Sequence, residues 1–193
     1  MRCNDLVIRG ATLVALTGFT AACNTIVGVE EVSLRDCGVN GNFPLVASNP
    51  TTSVLTHSMV NGLNVPSLLI LLSNDDKPDS LFLQLYDNMG AHGVVNAQGT
   101  YSLTASDAKL ETCGICASIN TDYDLNTDDF SQTFFAVGQG TLELTFADST
   151  RLAGRLQDLE FRHVDLSGDT TVDIKDGCVV TVEDVEFDVM YSQ

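Results

Sequence analysis

Two cysteines and two runs of carboxylates have the spacing that chemistry needs. Cys113-Gly114-Ile115-Cys116 has the separation of a dithiol redox pair. That chemistry calls for a thiolate stabilised at a helix N-terminus. Here Ile115, Ala117, Ile119, Thr121 and Tyr123 alternate with polar partners instead, the pattern of a strand. With Cys37 and Cys178 the same pair supplies the four thiolates of a zinc site, but with only one C-x-x-C half. In an oxidising compartment four such cysteines form two disulfides more often than a metal site. Four cysteines allow three pairings. The largest loss of unfolded-chain entropy favours joining the distant Cys37 and Cys178 to the Cys113/Cys116 region.

The first carboxylate run is Asp165–Asp176, D-L-S-G-D-T-T-V-D-I-K-D. Oxygen ligands at its first, third, fifth, ninth and twelfth places suit a hard cation such as calcium. It resembles the calcium loop of dockerin modules, matched by Asp165, Ser167, Asp169, Asp173 and Asp176. Thr170 stands where that loop has glycine, and Gly177 onward reads as strand where a dockerin has a helix. The second run, Asp122–Asp129, places Asp122, Asp124, Asn126 and Asp128 at alternate positions. It is similar to the start of an EF-hand loop, without the central glycine and closing glutamate. Water alone also solvates both runs as acidic loops between strands.

Signatures of hydrolysis are absent. There is no G-x-S-x-G, and His57, His92 and His163 have no partner pattern beside them. No pair of carboxylates is marked out for glycoside hydrolysis. The expectation is therefore a protein without catalytic activity.

The N-terminus says where the chain goes. Arg2 and Arg9 precede the apolar run Ala11–Cys23, A-T-L-V-A-L-T-G-F-T-A-A-C. A basic start, a short apolar stretch and small residues before a cysteine describe an export signal. The run is too short to span a bilayer, which takes about 20 apolar residues. Thr20-Ala21-Ala22-Cys23 resembles the lipobox of bacterial lipoproteins, which implies lipid on Cys23 and a mature chain that begins there. Thr20 departs from that pattern, which has a branched aliphatic residue at its place. Secretion after cleavage nearby is the alternative.

The elements that would position these residues read as strands. Segments Phe43–Ala47, Ser53–Val60, Val65–Leu72, Ser80–Tyr86 and Thr100–Leu103 come first, the third nearly all apolar as if buried on both faces. Asn61-Gly62 is a turn dipeptide, and Asn74–Asp79 and Asp87–Gln98 read as loops. Gln132–Val137 and Thr141–Phe146 flank Gly138-Gln139-Gly140, a hairpin signal. Leu152–Val164 and Val179–Tyr191 follow, the latter changing phase at Glu183-Asp184, where a bulge is predicted. Ser106–Thr112 is the one helix candidate. Many short strands with Gly, Asn and Asp turns predict an all-β, disulfide-bonded antiparallel sandwich, with a barrel as the alternative.

The 193 residues divide into a signal, 1–22, a partly apolar tether, 23–42, and one β domain, 43–193. The net charge of −17 repels phosphate backbones and excludes nucleic acid as a partner. Across the chain, C-N-T-I-V-G-V-E-E, T-C-G-I-C, T-F-F-A-V-G-Q-G-T-L-E-L, L-A-G-R-L-Q-D-L-E-F and the late D-G-C before V-E-F resemble acidic lipoproteins abundant in myxobacteria. That resemblance implies export and disulfide-bonded β structure, and it carries no catalytic residues. The expected product is an envelope protein, facing the periplasm or the cell surface, that binds or displays. A protein or glycan ligand would be held by its polar loops. The alternatives are a calcium-stabilised carbohydrate-binding or adhesive module and a secreted enzyme.

Overall fold

A computed structural model describes residues 37–39, 46–48, 53–60, 63–71, 78–93, 97–167 and 170–191. The export segment, Cys23, most of the tether, the Asn61-Gly62 turn, most of the Asn74–Asp79 loop and Asp169 lie outside the described residues. The fold is all-β. Its strands are β1 (Val46–Ser48), β2 (Ser53–Val60), β3 (Leu63–Leu71), β4 (Ser80–Leu85), β5 (Gly99–Ser102), β6 (Ile115–Asn120), β7 (Thr133–Ala136), β8 (Thr141–Ala147), β9 (Arg151–Asp165), β10 (Val172–Asp173) and β11 (Val179–Met190).

Hydrogen-bonded neighbours run in the order β1-β11-β9-β7-β6-β4-β3-β2. The two ends of this path meet. β1 lies parallel to β11 from Val46↔Glu186 to Ser48↔Asp188, and β2 reaches the end of the same strand through the bridge Leu55↔Tyr191. The sheet is thus nearly closed and barrel-like, within the all-β sandwich or barrel architecture that the strand pattern predicts. Its interior follows from alternation along the strands. In β4, Leu81, Leu83 and Leu85 point inward and are buried, while Phe82 and Gln84 face out and are half-buried. Phe134, Phe161, Phe187, Leu68 and Ile119 fill the same interior. Each such side chain contributes about 1.5–3 kcal/mol by leaving water.

β9 is the spine. One edge pairs with β11 along its length; the other pairs with β8 in its first half and with β7 in its second. Consequently β7 and β8 both run antiparallel to β9 and do not pair with each other, so Gly138-Gln139-Gly140 is a bend and not a hairpin. Gly138 and Gly140 adopt φ of 80° and 102°, which glycine reaches at no steric cost. A Cβ on Gly138 would also collide with the carbonyl of Thr104. The glycine signal was real, but it redirects the chain along the same strand instead of reversing it.

Two further expectations change. Register between β9 and β11 is unbroken through Glu183-Asp184. The change of phase in β11 (Val180 and Val182, then Val185, Phe187 and Val189 buried) is matched in β9. Asp158, opposite the break, takes a left-handed φ of 54°. Both strands shift together, so no bulge forms there. The register shift instead lies in β8, between Leu144 and Phe146. Ser106–Thr112 forms consecutive turns, and no helix occurs among the described residues.

A second apolar cluster sits on the outer face of the barrel. Val65, Tyr86, Cys113, Cys116, Phe135 and Val164 pack there with Met89 and Leu110 from the connecting segments. These segments cover the outward side of β4, β6 and β7, which explains why β6 is buried at every position.

Candidate functional site

The four cysteines pair as Cys37–Cys178 and Cys113–Cys116, with Cα separations of 5.5 and 5.2 Å. Both lie in the range a disulfide spans. This overturns the pairing that loop entropy favours, because the two pairs belong to different layers. Cys37 and Cys178 line the barrel core with Val39, whereas Cys113 and Cys116 lie in the outer cluster. For the same reason the four sulfurs do not converge as zinc ligands.

The C-x-x-C loop is fixed by a residue that sequence reasoning missed. Asp107 is 0% exposed. Its Oδ1 accepts the backbone N–H groups of Gly114 (3.1 Å) and Ile115 (3.0 Å). Its Oδ2 accepts the Thr104 N–H (2.8 Å), the Thr104 hydroxyl (2.9 Å) and His92 Nε2 (2.9 Å). Burial raises the Asp107 carboxyl, but the hydrogen bonds from Ile115, Thr104 and His92 outweigh it and hold its pKa below the ordinary value. Five donors on one buried carboxylate make it a structural hub for three segments. Its signal was present, since Thr104-x-x-Asp107 has the spacing of a capping box.

Strand register brings the two acidic runs to one end of the barrel. Ser80↔Asn120, Asn120↔Thr133 and Thr133↔Val164 form a single row across β4, β6, β7 and β9. The 121–132 connection and the segment after Val164 both leave from that row. Within the first run, Asp124 Oδ1 accepts the N–H and side-chain amide of Asn126, and Asp128 Oδ1 accepts the Tyr123 hydroxyl at 2.6 Å. Asp122 and Asp128 adopt left-handed φ of 51° and 59°, and the Asp122 N–H is donated to Asp79 Oδ1. Burial, then the hydrogen bond and charge of Asp128, push the Tyr123 phenol up to about 12.

In the second run the carboxylates point to protein partners. Asp165 Oδ1 accepts the Ser167 N–H at 2.7 Å. Asp173 is held by Arg162 Nε at 2.5 Å and by Lys175 Nζ at 3.2 Å. Asp176 accepts His163 Nδ1 at 2.5 Å and the Cys178 N–H at 2.9 Å. Asp169 lies outside the described residues. Among the described residues no three His, Cys, Asp or Glu side chains converge as a metal site.

His163 is half-buried on the face of β9 that carries Phe161, as its alternation with that residue suggests. It faces the barrel interior opposite Phe134 in register, and its ring stacks on that phenyl with centroids 5.0 Å apart. Beside it opens a cavity of about 450 Å³, lined among others by Phe130, Thr133, His163, Asp165, Leu166 and Ile174. Cavities of this size accept small organic ligands. A smaller cavity of about 310 Å³ lies at the barrel seam, where His57 and Tyr191 stack in parallel at 3.9 Å. No family model, curated protein or solved structure matches the chain.

Proposed function

We propose that this is an exported, lipid-anchored envelope protein that binds a ligand without transforming it, of the acidic lipoprotein kind abundant in myxobacteria. The observation that carries the reading is the oxidised state of the domain. Cys37, Cys113, Cys116 and Cys178 are all consumed in two buried disulfides. Disulfides of this kind persist outside the reducing cytosol. That compartment agrees with the basic, apolar, Cys23-terminated start of the chain. Lipid on Cys23 would hold the barrel at a membrane surface, with the acidic barrel end and its cavity available to a ligand. The binding reading is supported by that cavity, which combines apolar walls with a few polar groups.

Metabolic labelling with a fatty acid in a bacterial host tests the anchor. The full chain is expected to incorporate label, and Cys23→Ser to lose it while still forming both disulfides. Equal labelling of the two proteins, or none in either, would sink the anchor. Free thiols at Cys37 or Cys178 in the purified protein would remove the argument for export.

A further inference from the structure

We propose that the end of the tether, through Val32 and Leu34, docks into the barrel-end cavity and covers it in the ligand-free protein. This rests on the reading of the cavity as a binding site and names how that site is regulated. The described chain begins at Cys37, against two residues of the cavity wall. A Cβ on Gly38 would stand 2.8 Å from Gln132 Oε1. The disulfide joins Cys37 to Cys178, whose carbonyl accepts the His163 N–H at 3.4 Å. Gln132 and His163 both line the cavity. The point where the chain enters the domain and the cavity therefore share a wall.

Cys37 is preceded by Val32-Ser33-Leu34-Arg35-Asp36. An extended chain advances at most about 3.6 Å per residue, so Leu34 lies within about 11 Å of Cys37 and Val32 within about 18 Å. A cavity of about 450 Å³ beside the entry point is inside that reach. In an extended segment Val32 and Leu34 share one face and Ser33 and Arg35 the other, so the apolar pair can enter while the polar pair stays at the rim. The cavity has walls to receive them. Phe130 is 50% exposed and Ile174 39%, and both line it with Leu166. Covering that apolar surface is what favours docking. Gln132 Oε1 is buried and has no hydrogen-bond partner among the described residues. A backbone N–H of the arriving segment would supply the donor it lacks. Arg35 would also bring a positive charge toward Asp165, the carboxylate of the lining. Because the segment is tied to the domain, docking is intramolecular, with an effective concentration on the order of millimolar for a short link, so two modest side chains suffice. The tether then competes internally with any ligand at this site.

The test uses the full chain carrying Cys23→Ser, disulfides oxidised, which has no lipid to take up an apolar dye. Methyl-labelled protein is expected to show nuclear Overhauser contacts from Val32 and Leu34 to the Phe130 ring or the Ile174 methyls. Their absence would overturn the docking. The neutral apolar dye Nile red reads the same cavity from the other side. Adding Val32→Ser and Leu34→Ser together is expected to tighten dye binding about tenfold, because a site free in about one molecule in ten binds about tenfold more weakly. Phe130→Ala in that background is expected to weaken the dye again, which ties it to the cavity. Phe130 is exposed and residues 32 and 34 precede the first strand, so the variants should keep the parent circular dichroism. Equal dye binding with and without Val32 and Leu34 would overturn the tether as occupant while leaving the cavity a binding site. Contacts present with no dye bound by either protein would keep the docking and sink the ligand-binding reading.

Discussion

Cys37 is bridged to Cys178 across a sequence separation of 141. The bond ties the segment just before the barrel to the residue just before its last strand, and both sulfurs lie in the core. Cys113–Cys116 closes a loop with a sequence separation of only 3. If constraint of the unfolded chain dominates, the two bonds differ greatly in worth. Replacing Cys37 and Cys178 by serine is expected to cost about 4–5 kcal/mol, and replacing Cys113 and Cys116 about 2 kcal/mol. Urea unfolding of the two double variants compares them directly. A larger loss at Cys113/Cys116 would mean that the short bond acts through native packing in the outer cluster.

Asp107 predicts a specific acid sensitivity. Its folded pKa lies below its unfolded value, so over that interval the unfolded state binds more protons and stability rises with pH. Its contribution is fully present above the unfolded value of about 3.9 and is lost as the pH falls through the lower folded value. Asp107→Asn loses the charge and turns an amide toward the Gly114 and Ile115 N–H groups, which is expected to cost about 3 kcal/mol at neutral pH. Asp148, Asp165, Asp173, Asp176, Asp184 and Asp188 also have lowered values, but both proteins share them. The stability gap between wild type and variant should narrow below about pH 4. A gap that stays constant into acid would show that Asp107 acts by shape alone.

Strand content was legible because period-2 alternation is local: Leu81, Leu83 and Leu85 declare an inner face within six residues. What joins to what was less legible. Gly138 and Gly140 mark a change of direction, but whether a chain reverses or bends depends on the strand beside it, here the long β9. The acidic runs were visible as composition, whereas their shared position came from the row Ser80, Asn120, Thr133 and Val164, residues far apart in sequence. His163 looked like a lone histidine for the same reason. Its partner Asp176 lies 13 residues away, beyond β10, and its stacking partner Phe134 sits on another strand.

Asp173 and Asp176 decide what calcium should do. In the dockerin-like reading both are ligands, yet Arg162 and Lys175 hold the first and His163 the second. Calcium at Asp165, Ser167, Asp169, Asp173 and Asp176 would have to displace those partners, turn two carboxylates and leave Arg162 without its counter-charge. In the other run, Asp124 and Asp128 are already bonded to Asn126 and Tyr123. Millimolar calcium is therefore expected to leave the Tm of the oxidised protein where chelator leaves it. Binding to the native state alone at 100 times the dissociation constant would add about 2.7 kcal/mol, easily seen as a shift in Tm. An upward shift that magnesium does not reproduce, and that Asp173→Asn abolishes, would show that the loop rearranges around the metal. One that survives Asp173→Asn and falls to Asp128→Asn would move the site to the Asp122–Asp129 run.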